Sequence, residues 1–372
     1  MKPKIIITTN PVNHEGGVVN YYNVIFRRFS SSEVDLVRLI FGSRMEYFYL
    51  PYWQKALLYP FFYCQDFIRL IWTLLTDRSV RIVQVSPSLI PVPLWRDAPI
   101  VLLARLMRRK TIVFFRGWKD HELERIRSSR LRRWAFLRIY GQCDRTFVLL
   151  SKAERDLRSL GYPGEIHRTT TLYDKDEIID MPIPANPVPV FLFLGRVDEL
   201  KGIFEIIEAC RLVRETPDCP PFRMEIVGHE AHKGLLEECQ RKTNEANLND
   251  IIHFYGRKNG QDRMMAYHDA DIYVFPSWTE GCPNSVLEAM GNGLYVVGST
   301  VGALPDLITS PDYGILVPPR DATALAGAMR EALDRLPEIR SRRKLIRQYA
   351  ENTFEVSHCI EFLKNQYRKI LS

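Results

Sequence analysis

Residues 190–202 read VFLFLGRVDELKG and open the second half of a 372-residue chain. The first five residues are uniformly apolar, which is typical of a strand buried in a parallel sheet. Gly195 ends the apolar run, and residues 202–214 have a helical pattern. The stretch therefore predicts a strand, a short loop and a helix, the repeating unit of a doubly wound α/β domain.

The same alternation extends along the whole chain. In the second half, further strands are predicted at 223–227, 251–255, 272–276 and 294–299, and helices at 233–246 and 285–292. In the first half, strands are predicted at 4–9, 34–39, 82–85, 111–115 and 145–149, and a helix at 18–29. The fold class is therefore α/β, with two Rossmann-like domains built on doubly wound parallel sheets.

A proline-rich segment at 181–190 separates the two halves. Its four prolines disfavour both helix and central strand, so the segment is interpreted as a stiff linker. We expect an N-terminal domain at 1–180 and a C-terminal domain at 188–354. The last stretch, 355–372, has a helical pattern and is assigned to the N-terminal domain.

Cysteines and carboxylates give no sign of a metal site. The seven cysteines are scattered and form no C-x-x-C pair, which favours a reducing cytoplasm. Asp269-Ala270-Asp271 matches a D-x-D metal motif, but it stands at the start of a predicted buried strand. We therefore expect no metal and no other cofactor. The apolar stretch 47–75 is interrupted by Lys55, Asp66 and Arg69, so it is not expected to span a membrane.

The positive charge of the chain lies in its first half. Residues 1–180 hold 29 Lys and Arg against 18 Asp and Glu, whereas the whole chain has a net charge of +7. Many of these arginines fall between 105 and 145, which favours an anionic partner such as a membrane surface, a lipid pyrophosphate or nucleic acid. A solvated helix face is the alternative. Nucleic acid ranks last, because no aromatic-basic stacking motif accompanies the charge.

Two loops of the second half carry the chemistry. Arg196 and Lys201 lie between a strand and the start of a helix, where free amides and the helix dipole favour an anion such as a diphosphate. Residues 276–290, PSWTEGCPNSVLEAM, contain Glu280 in a loop and Glu288 about one turn into a helix. Carboxylates in these places can orient sugar or ribose hydroxyls. Taken singly, each residue can equally serve a turn or a helix end.

Five ordered motifs give the chain a specific resemblance. Gly195-Arg196 with Lys201-Gly202, Phe254-Tyr255-Gly256, Ala270-Asp271 through Ser277, Glu280-Gly281 with Leu287-Glu288-Ala289-Met290, and Gly302-Ala303-Leu304-Pro305-Asp306 together resemble glycosyltransferase family 4. The resemblance implies a GT-B fold, with two domains facing across a cleft. It also implies a retaining transfer from a nucleotide-diphosphate sugar that requires no metal.

The resemblance assigns roles to individual residues. Arg196, Lys201 and Glu280 are the expected catalytic residues. The expected donor-binding residues are Gly16, Gly17, Gly195, Gly281, Cys282, Pro283, Asn284, Ser285, Val286, Glu288 and Arg257. Gly16 and Gly17 follow Glu15 in a loop that resembles the glycine loop of the family.

Two segments depart from the family pattern. Family members often carry His-Gly after the strand at 111–115, where this chain has Arg116-Gly117-Trp118. Arg116 stays protonated and cannot act as a base, so Arg116 and the nearby His121 are candidates for contact with the acceptor or the sugar. The second departure is Gly228-His229-Glu230, in place of a glycine pair.

The sequence thus predicts a glycosyltransferase that acts on a glycan or lipid-linked glycan in surface polysaccharide or O-antigen-type biosynthesis. We expect a cytoplasmic protein, peripheral on the inner face of the membrane through an anionic lipid surface. The alternatives are a nucleotide-sugar epimerase or phosphorylase on the same fold, and a non-catalytic nucleotide- or lipid-binding module.

Overall fold

A computed structural model of the chain describes residues 2–12, 16–41, 52–184 and 186–372. The chain folds as two units: the residues up to Thr170 together with Val356–Ser372, and Thr171–Glu355. The division precedes the prolines of 181–190 because residues 171–180 pack with the second unit. Tyr173 forms a parallel bridge with Glu355, and its N–H donates to the carbonyl of Phe354 at 3.4 Å.

The first unit contains a six-stranded parallel sheet. Its strands are β1 (Lys4–Thr9), β2 (Asp35–Ile40), β3 (Val80–Val85), β4 (Lys110–Phe115), β5 (Arg145–Val148) and β6 (Ile166–Arg168). Its helices are α1 (Gly17–Arg28), α2 (Tyr52–Thr76), α3 (Pro91–Leu106), α4 (Asp120–Ser128), α5 (Arg130–Ile139), α6 (Ser151–Ser159) and, at the end of the chain, α15 (Val356–Leu371). The strand order is β2-β1-β3-β4-β5-β6.

The second unit contains another six-stranded parallel sheet. Its strands are β7 (Val190–Leu194), β8 (Arg223–Val227), β9 (Ile252–Gly256), β10 (Ile272–Phe275), β11 (Tyr295–Ser299) and β12 (Gly314–Val317). Its helices are α7 (Ile203–Arg214), α8 (Leu235–Glu245), α9 (Gly260–Asp269), α10 (Asn284–Gly291), α11 (Leu304–Leu307), α12 (Ala322–Asp334), α13 (Leu336–Ser341) and α14 (Arg343–Phe354). The order is β12-β11-β10-β7-β8-β9.

These two sheets confirm the predicted fold class. The bounds of β1, β7 and β8 are those predicted, and the other predicted strands are displaced by one or two residues. The sequence reasoning missed β6 and β12, which have three and four residues and so provide little pattern to detect.

In the second unit, the strand order places the loops after β7 and β10 next to each other. From β7 the chain runs outward to β8 and β9, and then returns to β10 on the other side of β7. The loops after β7 and β10 therefore diverge from a topological switch point, where open α/β sheets bind their ligands. In the first unit the corresponding point lies between β1 and β3.

Backbone contacts fix the loops at the carboxyl edge of the second sheet. The N–H of Gly195 donates to Val227 O at 3.0 Å, and that of Val197 donates to His229 O at 2.8 Å. A Cβ on Gly228 would lie 1.7 Å from the carbonyl oxygen of Gly195. Only glycine fits at 228, because the loop after β7 crosses directly over it.

The long helix α2 leaves much of its apolar surface in solvent. Trp53 is 62% exposed and Phe61 is 63% exposed, so these aromatics of 47–63 are not core residues. Residues 47–51 lie outside the described residues. Among those that the structure describes, no helix has the length and apolar character needed to cross a membrane.

Replacing Gly228 tests the close approach of the two loops. We expect Gly228→Ala to lower the free energy of unfolding by about 3 kcal/mol, because the new methyl group must displace the Gly195 backbone. Gly327→Ala is the matched control, since a Cβ at that helical position meets nothing within 4 Å. It should raise stability by about 0.5–1 kcal/mol. Equal unfolding free energies for the two variants, measured in urea, would contradict the packing described.

Candidate functional site

The loop after β7 contributes two cations held in different ways. Arg196 donates from Nε and Nη2 to Oδ2 of Asp198, at 3.0 and 2.6 Å. Asp198 is 8% exposed and also caps the short 3-10 turn Glu199–Lys201 by accepting from Leu200 N. Arg196 remains 53% exposed, so its charge is anchored at one side and open to a ligand at the other.

Lys201 lies against Glu280, and both are among the three catalytic residues that the sequence predicts. Nζ of Lys201 contacts Oε1 of Glu280, and their side chains are 25% and 10% exposed. The hydroxyl of Ser277 donates to the same carboxylate oxygen at 2.7 Å. The switch point therefore brings a cation together with a carboxylate and a hydroxyl of a loop that is remote from it in sequence.

Glycine at 202 and 302 permits this arrangement. Gly202 has φ of 76°, and a Cβ there would lie 2.3 Å from the carbonyl oxygen of Pro276. Gly302 has φ of 57°, and its Cβ would lie 2.5 Å from Gly281 O. Backbone segments thus support the Glu280 loop from both sides at distances that exclude a side chain.

Helix α10 starts directly beyond that loop. Pro283 is its N-cap residue and, within the described chain, no side chain caps its first turn. Oδ1 of Asn284 is buried and has no hydrogen-bond partner among the described residues. Free amides and an unsatisfied polar atom at a helix N-terminus suit an anionic, hydrogen-bonding ligand. Gly281, Cys282, Ser285 and Val286 lie in the same segment.

Glu288 lies one turn into α10 with partners that the sequence reasoning missed. Arg263 donates from Nη1 to both carboxylate oxygens, at 2.9 and 3.0 Å, and Tyr267 donates at 3.1 Å. Burial raises the pKa of Glu288, while Arg263 and the Tyr267 hydroxyl oppose that rise. Arg263 and Tyr267 are four positions apart on α9, a spacing that places both on one helix face.

The remaining predicted residues belong to other structural elements. Arg257 follows the edge strand β9, two strands from β7, and its Nε donates to Asn259. In the first unit, Gly16 and Gly17 begin α1, Arg116 follows β4, and His121 is exposed on α4. Glu15 lies outside the described residues.

Asp271 of the D-x-D match serves the sheet. One carboxylate oxygen accepts from Arg340 at 2.9 Å, and the other accepts from the backbone N–H of Val190 at 2.9 Å. Both contacts lie at the amino end of β10, opposite the edge that carries Glu280. The described residues contain no group of three or more His, Cys, Asp or Glu set to hold a metal ion.

Comparisons with known proteins agree with this geometry. Residues 188–335 match the family described as Glycosyl transferases group 1. The putative colanic acid biosynthesis glycosyltransferase WcaL of Escherichia coli is 33% identical over 46% of this chain and 43% of its own length. The amylovoran biosynthesis glycosyltransferase AmsK of Erwinia amylovora is 29% identical over 60% of this chain and 55% of its own. The chain thus spans about half the length of these curated relatives.

Solved structures resemble the whole chain. The sucrose-phosphate synthase of Thermosynechococcus elongatus has a TM-score of 0.77 at 17% identity, covering 100% of this chain and 99% of its own. Anabaena Alr3699/HepE, solved with UDP-glucose, has a TM-score of 0.68 at 13% identity, covering 98% and 99%. Residues 188–335 are therefore similar to the glycosyl transferases group 1 domain, and the chain has the two-domain Rossmann-like fold of the GT-B glycosyltransferases.

Proposed function

We propose that the chain is a retaining glycosyltransferase of family 4 that uses a nucleotide-diphosphate sugar and requires no metal. Its acceptor is a glycan or lipid-linked glycan in surface polysaccharide biosynthesis. The names of the relatives, which refer to colanic acid and amylovoran biosynthesis, support this pathway class. The neighbour solved with UDP-glucose supports a nucleotide-sugar donor.

The observation that carries the proposal is the Lys201–Glu280–Ser277 cluster beside the N-terminus of α10. A donor needs positive charge for its diphosphate and acceptors for its sugar hydroxyls, within a few ångströms of each other. Lys201 and the α10 amides supply the first, and Glu280 supplies the second. Arg196 adds an exposed cation on the same loop as Lys201.

In the proposed reaction, the bond between the sugar anomeric carbon and the diphosphate oxygen breaks while the acceptor oxygen bonds to the same face of that carbon. The acceptor proton passes to the oxygen released on the diphosphate. Arg196 and Lys201 stabilise the negative charge that develops there, which is where preorganised charge lowers a barrier most. Glu288 holds the ribose, with Arg263 and Tyr267 fixing its carboxylate. No protein nucleophile is required.

Nucleotide release tests this function. We expect one donor among UDP-, GDP-, ADP-, CMP- and dTDP-sugars to release nucleotide in EDTA. Lys201→Ala and Glu280→Gln should each lower the rate by about 100-fold, because each removes a group that acts on the leaving diphosphate or the sugar. Lys344→Ala, which removes an exposed lysine from α14, should leave the rate unchanged.

Other results would favour the competing functions. Conversion of the donor sugar without nucleotide release would identify an epimerase. Donor binding without turnover, unchanged in both variants, would indicate a non-catalytic module. A rate that depends on added Mg²⁺ would contradict the metal-independent mechanism.

We further propose that the first unit rests on an anionic membrane surface. Its docking face comprises the solvent-exposed sides of α2, α3 and α5. Right-handed crossovers from β2 through β5 put these helices on one side of the sheet, and α3 packs against both α2 and α5. The face is thus continuous across the three helices.

Both apolar and basic residues cover this docking face. The exposed apolar residues include Trp53, Leu57, Phe61, Ile68, Trp72 and Leu75 of α2, Leu102 and Leu106 of α3, and Leu131 and Trp134 of α5. Those of α2 recur every three or four residues or multiples of that spacing, so they form one stripe along the helix. Exposed arginines accompany them at 69, 108, 130, 132, 133 and 138. Interfacial aromatics beside arginines suit anionic lipid headgroups.

Vesicle binding tests the docking face. We expect the protein to sediment with phosphatidylglycerol-containing vesicles at low salt and to bind less at high salt. The double variant Trp53→Ser and Trp72→Ser should bind at least about tenfold more weakly, because it removes two interfacial anchors. Tyr255→Ser, an exposed aromatic of the second unit, is the control. Equal binding of all three proteins, or none by wild type, would contradict the proposal.

A further inference from the structure

Arg116 is a buried cation that has no ion-pair or side-chain hydrogen-bond partner among the residues the structure describes. Its side chain follows β4 and the residue is 5% exposed. Nε and Nη1 are buried and, among the described residues, neither has a hydrogen-bond partner. No ion pair with Arg116 occurs in the described part of the chain. A buried charge left uncompensated is among the most costly features a fold can carry.

Aromatic rings hold the guanidinium in place but do not neutralise it. Its Cζ lies 3.9 Å from the ring centroid of Tyr21 and 4.5 Å from that of Phe114. Ring faces attract a cation, yet they offer no hydrogen-bond acceptor in the plane of the guanidinium. The contacts therefore fix the position of the charge and leave its hydrogen-bonding capacity unused.

The ionisable groups that surround Arg116 are neutral at pH 7. Burial raises the pKa values of Tyr21 and Tyr22 above their ordinary value, and it raises the pKa of Cys359 to about 11. All three therefore keep their protons. Neither a phenolate nor a thiolate compensates the guanidinium.

Arg343 of α14 shows what a structural buried arginine looks like in this chain. It is 8% exposed, and its Nε, Nη1 and Nη2 donate to the carbonyls of Asn292, Ala270 and His268 at 3.2, 2.8 and 2.7 Å. Three elements of the second unit are joined through it. Arg116 has comparable burial and none of these bonds, so support of the fold does not explain it.

Arg116 lies at the edge of the first sheet where α/β domains bind their ligands. The N–H of Arg116 donates to Pro87 O at 3.0 Å, and Gly117 O accepts from Leu89 N at 2.7 Å, so the loops after β3 and β4 are joined. Tyr21 lies one turn into α1, whose N-terminus at Gly17 has no side-chain cap in the described residues. These elements meet at the carboxyl edge of the first sheet, beside its switch point between β1 and β3.

We propose that Arg116 binds an oxyanion on the sugar substrate, a carboxylate or a phosphate ester, and so selects acidic over neutral sugars. The inference rests on the proposed function for the statement that the ligand is a sugar. A guanidinium suits both oxyanions, because its planar array of donors matches their oxygens. The anion supplies a negative charge that no described residue of the first unit places at this point.

The test measures thermal unfolding of the full chain with paired probes. Methyl glucuronide is compared with methyl glucoside, glucose 6-phosphate with glucose, and UDP-glucuronate with UDP-glucose. The first two pairs report an acidic group on an acceptor, and the third reports one on the donor sugar. Each pair differs only in the anionic group, so the difference in melting temperature isolates its effect.

We expect at least one acidic probe to stabilise wild type more than its neutral partner does, with about tenfold tighter binding. Arg116→Met should lose that difference, while its melting temperature without ligand is no lower than that of wild type. Arg343→Met should melt at a lower temperature, because it strands three backbone carbonyls. If no pair discriminates in wild type, or if Arg116→Met is destabilised as much as Arg343→Met, Arg116 is structural and the inference is wrong.

Glu15 requires its own variant, because it lies outside the described residues. Glu15→Gln should respond to the acidic probes as wild type does. A response that appears only in Glu15→Gln would mean that Arg116 already has a carboxylate partner, which would overturn the inference. The readout is stability, so it is independent of turnover. A wild type that transfers a neutral sugar and binds acidic and neutral probes equally well would keep the proposed function and lose this inference.

Discussion

The parallel pairing of β7 with β10 is the constraint on which the candidate site depends. Ile272 is in register with Phe191 and Tyr273 with Leu192, so the two strands end at the same edge of the sheet. Lys201 and Glu280 are 79 positions apart in the chain, yet they follow these two strands and come into contact. The glycines at 202, 228 and 302 then let backbone pack against backbone around that contact. The pairing of the strands therefore determines the geometry of the site.

Much of the fold could be predicted from the sequence because parallel strands are buried on both faces. Continuous apolar runs such as 5–7 and 190–194 indicate strands without further information. The edge strands β6 and β12 have only three and four residues, which is too short a pattern for the same inference. The order of the strands within each sheet could not be deduced from the sequence. It depends on which strands pair with each other, and the sequence of a single strand does not specify its partner. The division between the units at Thr170 depends equally on a tertiary contact, that of Tyr173 with Glu355.

The main charged residues of the site could be predicted from the sequence, but the residues that hold their side chains in place could not. Local patterns of glycine, charge and helix start singled out Arg196, Lys201, Glu280 and Glu288. Asp198, Ser277 and Arg263 carry no pattern of their own, yet they hold those side chains in place. Arg263 reaches Glu288 across 25 positions, a separation at which sequence alone gives no register. Arg116 was visible as a departure from a family pattern, whereas its lack of a partner required coordinates.

The contact between Lys201 and Glu280 has a consequence for ligand discrimination. In the unliganded chain, the ammonium group and the carboxylate of this pair neutralise each other. A ligand that binds only one of the two groups leaves the other without a partner, so it must interact with both. Inorganic sulfate offers oxygens to Lys201 but nothing that donates to Glu280. A neutral sugar offers hydroxyls to Glu280 but nothing anionic to Lys201. Only a molecule carrying both groups, at the spacing that the switch point sets, replaces the ion pair without stranding a buried charge. Under the proposed function, this ion pair would discriminate against each half of a nucleotide sugar and favour the intact donor.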